Sequence, residues 1–400
     1  MPLKHKKFQR LILAFSSLLI IILIIFFPEH SLQAAIKGLD TWLKVVLPAL
    51  LPFFIVTEIM VQSGLADFFS NLLTPLMRPL FNCPGHSSFV WIMSTSSGYP
   101  MGAKLIASLY EEGDITRAEG QRMLAFCNTS GPLFMIGAVG IGMLNSPQAG
   151  KIIAICHYLA ALILGLLFRF YGREKKYKIT YSLKPNMRSA INQLLDSKGK
   201  SRKSLGTILG DSVRSSMQAQ LLIGGFIILF SVIINLIIVN GNFNIVNETR
   251  NNWTFVFSEG SRTIKALGAG LLEITTGCRL LSDTMLDMES KIIATSFIIG
   301  WGGLSIHSQA ISLLANTDLS IGLYFFTKFL HGILSAILTH IFILFSPVDS
   351  IPAFSGPNYI INPTMYNTFI ASLKLLTSAF FSLLAIYFLI LLIKAIRVRD

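Results

Sequence analysis

The chain has 400 residues, of which 52% are hydrophobic and only 13% are charged, about half the charge of a soluble domain. That balance excludes an ordinary soluble enzyme, and no run alternates as barrel strands do. The formal charge of +13 does not mark a nucleic-acid binder, because Lys and Arg gather in the loops between apolar runs, as the positive-inside rule requires. The expected fold class is an all-α polytopic membrane protein.

Lys4, Lys6, Lys7 and Arg10 precede an apolar run from Leu11 to Phe27. The run is long for a signal peptide and Pro28-Glu29-His30 is a poor cleavage site, so it reads as a retained span with a cytoplasmic N-terminus. A near-neutral outer loop to Asp40 follows. Trp42 to Val61 is a second span, kinked at Pro48 and Pro52 and holding Glu58. Leu65 to Leu80 is an amphipathic interfacial helix.

The next stretch, Met93-Ser94-Thr95-Ser96-Ser97-Gly98-Tyr99-Pro100-Met101-Gly102, organises the chain. The apolar runs on either side are too short to cross a bilayer, which takes ~20 residues as helix. Hydroxyl residues followed by Gly and Pro favour turns. We expect a re-entrant hairpin over 86–110 with a polar tip, which is tolerated at depth only where it is buried in protein or lines a cavity. Thr116-x-x-Glu119 is a capping-box start for a helix over 117–144. Pro132 removes a donor inside that helix, so Asn128-Thr129-Ser130-Gly131-Pro132 must break it. Lys151 to Phe170 is a plain span. Between Arg173 and Arg214 lie eleven basic residues against three acidic ones, a cytoplasmic loop.

Gln218 to Val239 spans outward, and the Asn-rich segment Asn240 to Gly260 suits the outside. A second hairpin is expected over 262–285, with Glu273-Ile274-Thr275-Thr276-Gly277 at its centre; outright spanning by Ile264 to Leu281 is the alternative. A second broken helix is expected over 291–316, interrupted between Gly300 and Gln309. Leu319 to Phe345 is a span, 346–365 an outer loop without Lys or Arg, and Tyr366 to Ile393 a last span that returns the C-terminus to the cytoplasm.

The chain therefore divides into an N-terminal span (1–35), a first repeat (36–171), the basic loop (172–216), a second repeat (217–345) and an outer loop with the final span (346–400). Setting Ser96-Ser97-Gly98 on Thr275-Thr276-Gly277 gives an offset of 179 residues. The same offset sets Asn128-Thr129-Ser130 on His307-Ser308-Gln309. An odd number of crossings separates the halves, so the second is inverted. Interrupted apolar segments at matching places in inverted halves point to a transporter's binding site.

Half-helices end there with free N–H groups and a positive dipole end, which suit anions. The hydroxyls of Ser94, Thr95, Ser96, Ser97, Thr129, Ser130, Thr275, Thr276, Ser305 and Ser308 add donors, and Asn128 and Gln309 supply amides. The competing role for these small polar groups is helix–helix packing. Ionisable residues in apolar segments are costly and functional by default: here Lys104, Glu273, Arg279 and His307. Glu273 either takes a proton or a cation, or pairs with Arg279 or Lys104. Lys104 and Arg279 either complement an anion or snorkel to an interface. His307 either titrates near neutral pH or is a hydrogen-bonded structural histidine. The four cysteines, Cys83, Cys127, Cys156 and Cys278, are too scattered for a metal or redox motif and read as buried thiols. No catalytic or nucleotide-phosphate motif is present, so the expectation is a non-enzymatic protein without a cofactor or metal, driven at most by a coupling ion, H+ or Na+.

Ser94 to Lys104, the turn Gly113-Asp114-Ile115-Thr116, and Cys127-Asn128-Thr129-Ser130-Gly131-Pro132-Leu133-Phe134 resemble the YlbJ family, also called SpoVV. These are sporulation integral membrane proteins that carry a nucleoside-recognition or "gate" domain. The second-half match, around Leu272 to Gly277 and Trp301-Gly302-Gly303, is looser. The resemblance implies a fold similar to concentrative nucleoside transporters. It also implies a place in the mother-cell-derived outer forespore membrane, and dipicolinic acid as the small anionic substrate carried toward the spore. The glutamate-bearing first tip of the nucleoside transporters is replaced here by Ser94 to Ser97, which suits an anion better than a nucleoside. The expected partners are that substrate and the lipid bilayer, with self-association or other sporulation membrane proteins beside them; nucleic acid is not among them. The residues leave open a nucleoside carrier of the same fold and a non-transporting envelope protein.

Overall fold

A computed structural model describes residues 2–172, 204–239 and 253–345. The outer loop 346–365, the last span 366–393, most of the basic loop and the segment 240–252 lie outside the described residues. Among the described residues every regular element is helical. Among the described residues three helices are long and apolar enough to cross a membrane, and a bent helix pair near the N-terminus makes a fourth candidate.

Helix α1 (Pro2–Phe26) ends at a sharp bend of 107° before α2 (Pro28–Thr41). The expected outer loop over 28–40 is therefore helix. Pro28 sits at the first helical position and Glu29 in the first turn, both favourable to helix starts. A π-helical turn (Trp42–Val46) leads into α3 (Leu47–Gln62). The interfacial helix is α4 (Leu65–Phe81), bounded by Gly64 and Asn82, both in the left-handed conformation.

The stretch 86–111 forms two short helices, α5 (His86–Ser97) and α6 (Met101–Glu111). Its turn is only Gly98-Tyr99-Pro100. The hydroxyl run Ser94 to Ser97, expected as the tip, is the last turn of α5. Ser96 Oγ donates to the Ile92 carbonyl 2.9 Å away, the back-bonding that lets serine stay helical. The capping box forms: Thr116 and Glu119 satisfy each other's backbone at the start of α7 (Arg117–Phe126). The helix breaks over 127–132 and resumes as a π-helical segment (Leu133–Met143). Helix α8 (Pro147–Phe168) is the plain span.

In the second half, α9 (Leu205–Ile234) starts inside the stretch expected as loop, because the Ser204 hydroxyl accepts from the Thr207 N–H and caps it. Helix α10 (Trp253–Leu272) likewise reaches into the expected outer segment. Helix α11 (Ile274–Ser282) folds back along α10. A Cβ on Gly277 would lie 2.1 Å from the Gly270 Cα, so the two arms touch backbone to backbone. Helix α12 (Met288–Trp301) and α13 (Gly303–Leu313) form the second broken helix. Its break is Gly302, not His307-Ser308-Gln309, which lie inside α13. Gly302 and Gly303 take φ of 90° and 77°, a backbone that glycine alone adopts at no cost, so the chain turns there. Helix α14 (Ile321–Phe345) packs along α12 and α8.

The tips and breaks recur at one offset, though not the expected 179. Tip residues 98 and 273 lie 175 apart, and so do 127 and 302, which end the first arms of the two broken helices. Two large apolar clusters form most of the core among the described residues, with a small third one at Ala34, Val232 and Leu236. Phe54, Phe89, Met101, Met123 and Phe126 anchor one; Met135, Ile153, Ile292 and Ile299 anchor the other. The first broken helix passes from one cluster to the other, and its break falls between them.

Candidate functional site

Each tip rests on the break that follows it. A Cβ on Gly98 would lie 2.7 Å from the Gly131 nitrogen, and one on Gly303 would lie 3.2 Å from the Glu273 backbone. The Trp301 indole also donates to the Leu271 carbonyl (3.1 Å), joining the second break to the second tip. Tyr99, in the first turn, reaches the second break through its hydroxyl, 3.4 Å from the Ile299 carbonyl oxygen. Hence all four interruptions meet.

They meet at a cavity of about 170 Å³. Ser96, Ser97 and Gly98 line it from the first tip, Ser130 and Gly131 from the first break. Glu273 and Thr275 line it from the second tip, Ser305 and Gln309 from α13. Val46, Leu50 and Phe53 and, from α9, Ile223 and Ile227 form an apolar wall. An adjoining recess of about 240 Å³ shares Glu273, Thr275 and Ile227, and adds Thr276, Arg279 and Lys37. A mostly apolar pocket with a few converging polar groups is the usual form of a small-molecule site.

The sequence-selected residues divide into three groups. Ser96, Ser97, Gly98, Ser130, Glu273, Thr275, Ser305 and Gln309 face the cavity, and Thr276 and Arg279 face the recess. A second group braces the breaks from behind. Ser94 Oγ accepts from the Thr129 N–H (3.2 Å). The Thr95 carbonyl accepts from the Tyr158 hydroxyl (3.3 Å). Asn128 Nδ2 donates to the Tyr324 oxygen (2.9 Å), whose hydroxyl lies 3.2 Å from His307 Nδ1. The third group lies elsewhere. Lys104 pairs with Glu58 (2.7 Å) and Ser215 (3.1 Å), Ser308 is only half-buried, and Gly277 is the contact inside the second hairpin. All four cysteines are buried free thiols.

Glu273 pairs with neither Arg279 nor Lys104. Its carboxylate accepts from the N–H groups of Thr275 (2.8 Å) and Thr276 (2.7 Å) and so caps α11. That helix end, expected to be open to an anion, already holds one. The N-termini of α6, the Leu133–Met143 segment and α13 carry no side-chain cap. The Leu133–Met143 segment and α13 begin at the cavity and are the ends left open to a ligand, whereas α6 begins packed on the Cys127 and Asn128 backbone.

A buried polar layer behind the first break escaped the sequence reading. Lys328, fully buried, donates to the Tyr99 hydroxyl (2.7 Å) and the Asn128 carbonyl (2.9 Å) and lies 2.8 Å from His331 Nδ1. His157 Nε2 accepts from the Ser130 N–H (3.0 Å), and the Tyr158 hydroxyl reaches the Ser130 carbonyl (3.0 Å). Side chains thus satisfy the backbone groups that the break releases, as burial demands. Lys328 sits mid-way in an apolar run, and an ionisable residue there is itself the signal.

A family model described as Gate, nucleoside recognition, matches residues 43–147, the stretch with the first hairpin and first break. The sporulation integral membrane protein YlbJ of Bacillus subtilis (strain 168) is 36% identical over 345 residues, 86% of this chain and 84% of that protein. An uncharacterised protein of Alkalihalophilus pseudofirmus is 26% identical over 134 residues, 32% of this chain and 27% of that one. No solved structure matches the chain. Identity and coverage of that extent place this chain in the YlbJ family of sporulation integral membrane proteins.

Proposed function

We propose that the chain is a secondary transporter or facilitator for a small aromatic carboxylate, dipicolinic acid foremost, carried from mother cell toward forespore without covalent chemistry. The observation that carries this reading is the convergence of both tips, the first break and the start of α13 on one cavity. Binding sites of repeat-built transporters arise at such interrupted helices. An aromatic ring fits against the apolar wall of Leu50, Phe53 and Ile227. Its carboxylates lie toward the Ser97 and Ser130 hydroxyls and the open helix ends, with Arg279 and Lys37 in the adjoining recess. In this reading the halves are inverted, both termini and the basic loop are cytoplasmic, and the membrane is the outer forespore membrane.

One observation favours a second reading. Glu273 is the one carboxylic side chain lining the first cavity among the described residues, and a carboxylate beside Gln309 and serines suits a ribose. Uptake of dipicolinate and of uridine into proteoliposomes decides between them. Dipicolinate uptake blocked by excess unlabelled dipicolinate, with uridine inert, is the expected result. Uridine uptake with dipicolinate inert would establish the second reading, and no uptake of either would overturn both.

A further inference from the structure

Lys328 is a fully buried amine that no carboxylate answers among the described residues. Its exposure is 0%, and no acid pairs with it among the described residues. Its three donors meet three acceptors, the Tyr99 hydroxyl, the Asn128 carbonyl and His331 Nδ1, all within 2.9 Å. The tautomer of His331 follows from its other nitrogen. Nε2 lies 2.9 Å from the His157 carbonyl, which only accepts, so Nε2 carries the proton and Nδ1 presents a lone pair.

The surroundings are polar without being anionic. Tyr99 meets the amine from the hairpin turn and His331 from its own helix, His157 of α8 packs against His331, and Tyr324 and His307 join through Asn128. The compensating charge is partial. Asn128 lies just past the C-terminal end of α7, where the helix dipole is negative and cations are favoured. Interrupted helices of transporters use such C-terminal ends and unwound carbonyls to coordinate a coupling cation.

We propose that Lys328 is a positioning residue that serves as the resident cation of this site. Its ammonium ties the first hairpin turn to the first broken helix, where a diffusible ion would otherwise be needed. The site therefore assembles without Na+. The tie joins Tyr99, which also reaches the second break, to Asn128 at the first, so the geometry of the cavity depends on it. The role in substrate binding rests on the transporter reading above; the role in holding tip to break does not.

The test uses the full chain in detergent and follows thermal unfolding with and without dipicolinate, in NaCl, methylammonium chloride or choline chloride of equal strength. Wild-type protein is expected to unfold at one temperature in all three salts. Lys328→Ala is expected to unfold roughly 10 °C lower in choline and to recover most of that loss in Na+ or methylammonium, which fit the space left by the amine, while choline does not. A residue that merely fills space would show no such selectivity. A wild-type unfolding temperature that depends on Na+ overturns the proposal, as does a Lys328→Ala loss that no small cation restores. If Lys328→Ala gives no folded protein, the wild-type comparison decides alone: indifference to Na+ supports the assignment and dependence overturns it. Cation rescue with dipicolinate inert leaves the resident cation standing and removes only the substrate.

Discussion

The two halves use one plan with opposite chemistry. In the first, the tip is bare: Gly98 ends α5, Pro100 starts α6, and no side chain caps the new helix. The break that follows is long, and Ser94, His157, Tyr158 and Lys328 hold its backbone. In the second, the tip caps itself with the Glu273 carboxylate, and the break is a glycine pair. The first half brings an uncapped tip and a long break; the second brings the Glu273 carboxylate, which closes its own tip, and also Lys328, whose amine holds the first half's break. A cavity between two such halves is polarised, although the backbone plan around it repeats. In the transporter reading proposed above, sequence symmetry points to the cavity and the departures from symmetry set its chemistry.

Exchanging glycine for alanine should break this comparison most sharply. Gly98 has φ 79° and ψ −168°, a region open essentially to glycine and costing other residues about 1–3 kcal/mol. Its Cβ would also press on the Gly131 backbone at 2.7 Å, and overpacking adds about as much again. Gly302 has φ 90°, but nothing closer than 3.7 Å would meet its Cβ, so only the left-handed strain of about 1–2 kcal/mol applies. Gly98→Ala is expected to destabilise the protein by about 3 kcal/mol or more and Gly302→Ala by less than half as much, measured by thermal unfolding in detergent. Equal losses would mean that the first tip is not wedged against its break.

The amides come next. Asn128 and Gln309 look alike in sequence, each a polar residue beside a presumed break. The structure separates them, since Asn128 holds Tyr324 behind the break and Gln309 faces the cavity. Asn128→Leu leaves the Tyr324 oxygen without its donor and is expected to cost about 2 kcal/mol of stability. Gln309→Leu is expected to leave stability within about 0.5 kcal/mol and to weaken ligand-dependent protection. The reverse pattern would place the ligand behind the break rather than in front of it.

The reason these two could be confused in the sequence also explains what was legible. Prolines and glycines announce interruptions through the backbone donors and conformations they remove or permit. The all-helical class, the apolar spans and the presence of helix interruptions were therefore readable. The exact residue of each interruption was not. Serines that back-bond to their own helix, as Ser96 does, remain helical, which moved the first tip to Gly98. Glu273 as a cap was hidden because glutamate is not among the preferred N-cap residues. Lys328, His331 and His157 lie in runs whose length and apolarity suffice for a span. Their meeting with Asn128 and Ser130 is a long-range contact that no local pattern records.

Removing the self-made cap should make the second tip resemble the first. Glu273→Ala leaves the N–H groups of Thr275 and Thr276 without their acceptor and is expected to cost about 1 kcal/mol. It also opens the α11 N-terminus and removes the negative charge from the cavity. If the site takes a carboxylate, Glu273→Ala should bind dipicolinate more tightly, while Glu273→Gln, which keeps an acceptor for the cap, should unfold closer to wild type. Loss of binding in both, with folding intact, would make the Glu273 charge itself a ligand contact and favour a neutral polyhydroxyl substrate.

The smallest effect on folding should be the most informative about binding. Ser97 Oγ is buried beside the cavity, and no hydrogen-bond partner reaches it among the described residues. A buried hydroxyl without a partner is a cost to the folded protein. Ser97→Ala is therefore expected to leave stability unchanged or slightly raised. Thr276 differs, because its N–H is already held by Glu273 and its side chain faces the recess. If the first, uncapped half carries the ligand, Ser97→Ala should weaken dipicolinate binding by about 1 kcal/mol, the worth of one hydrogen bond, and Thr276→Ala should weaken it less. Measured as ligand-dependent stabilisation, which rises with occupancy of the folded state, the two variants separate the halves. A larger loss at Thr276 than at Ser97 would move the substrate from the cavity to the recess, beside Arg279 and Lys37.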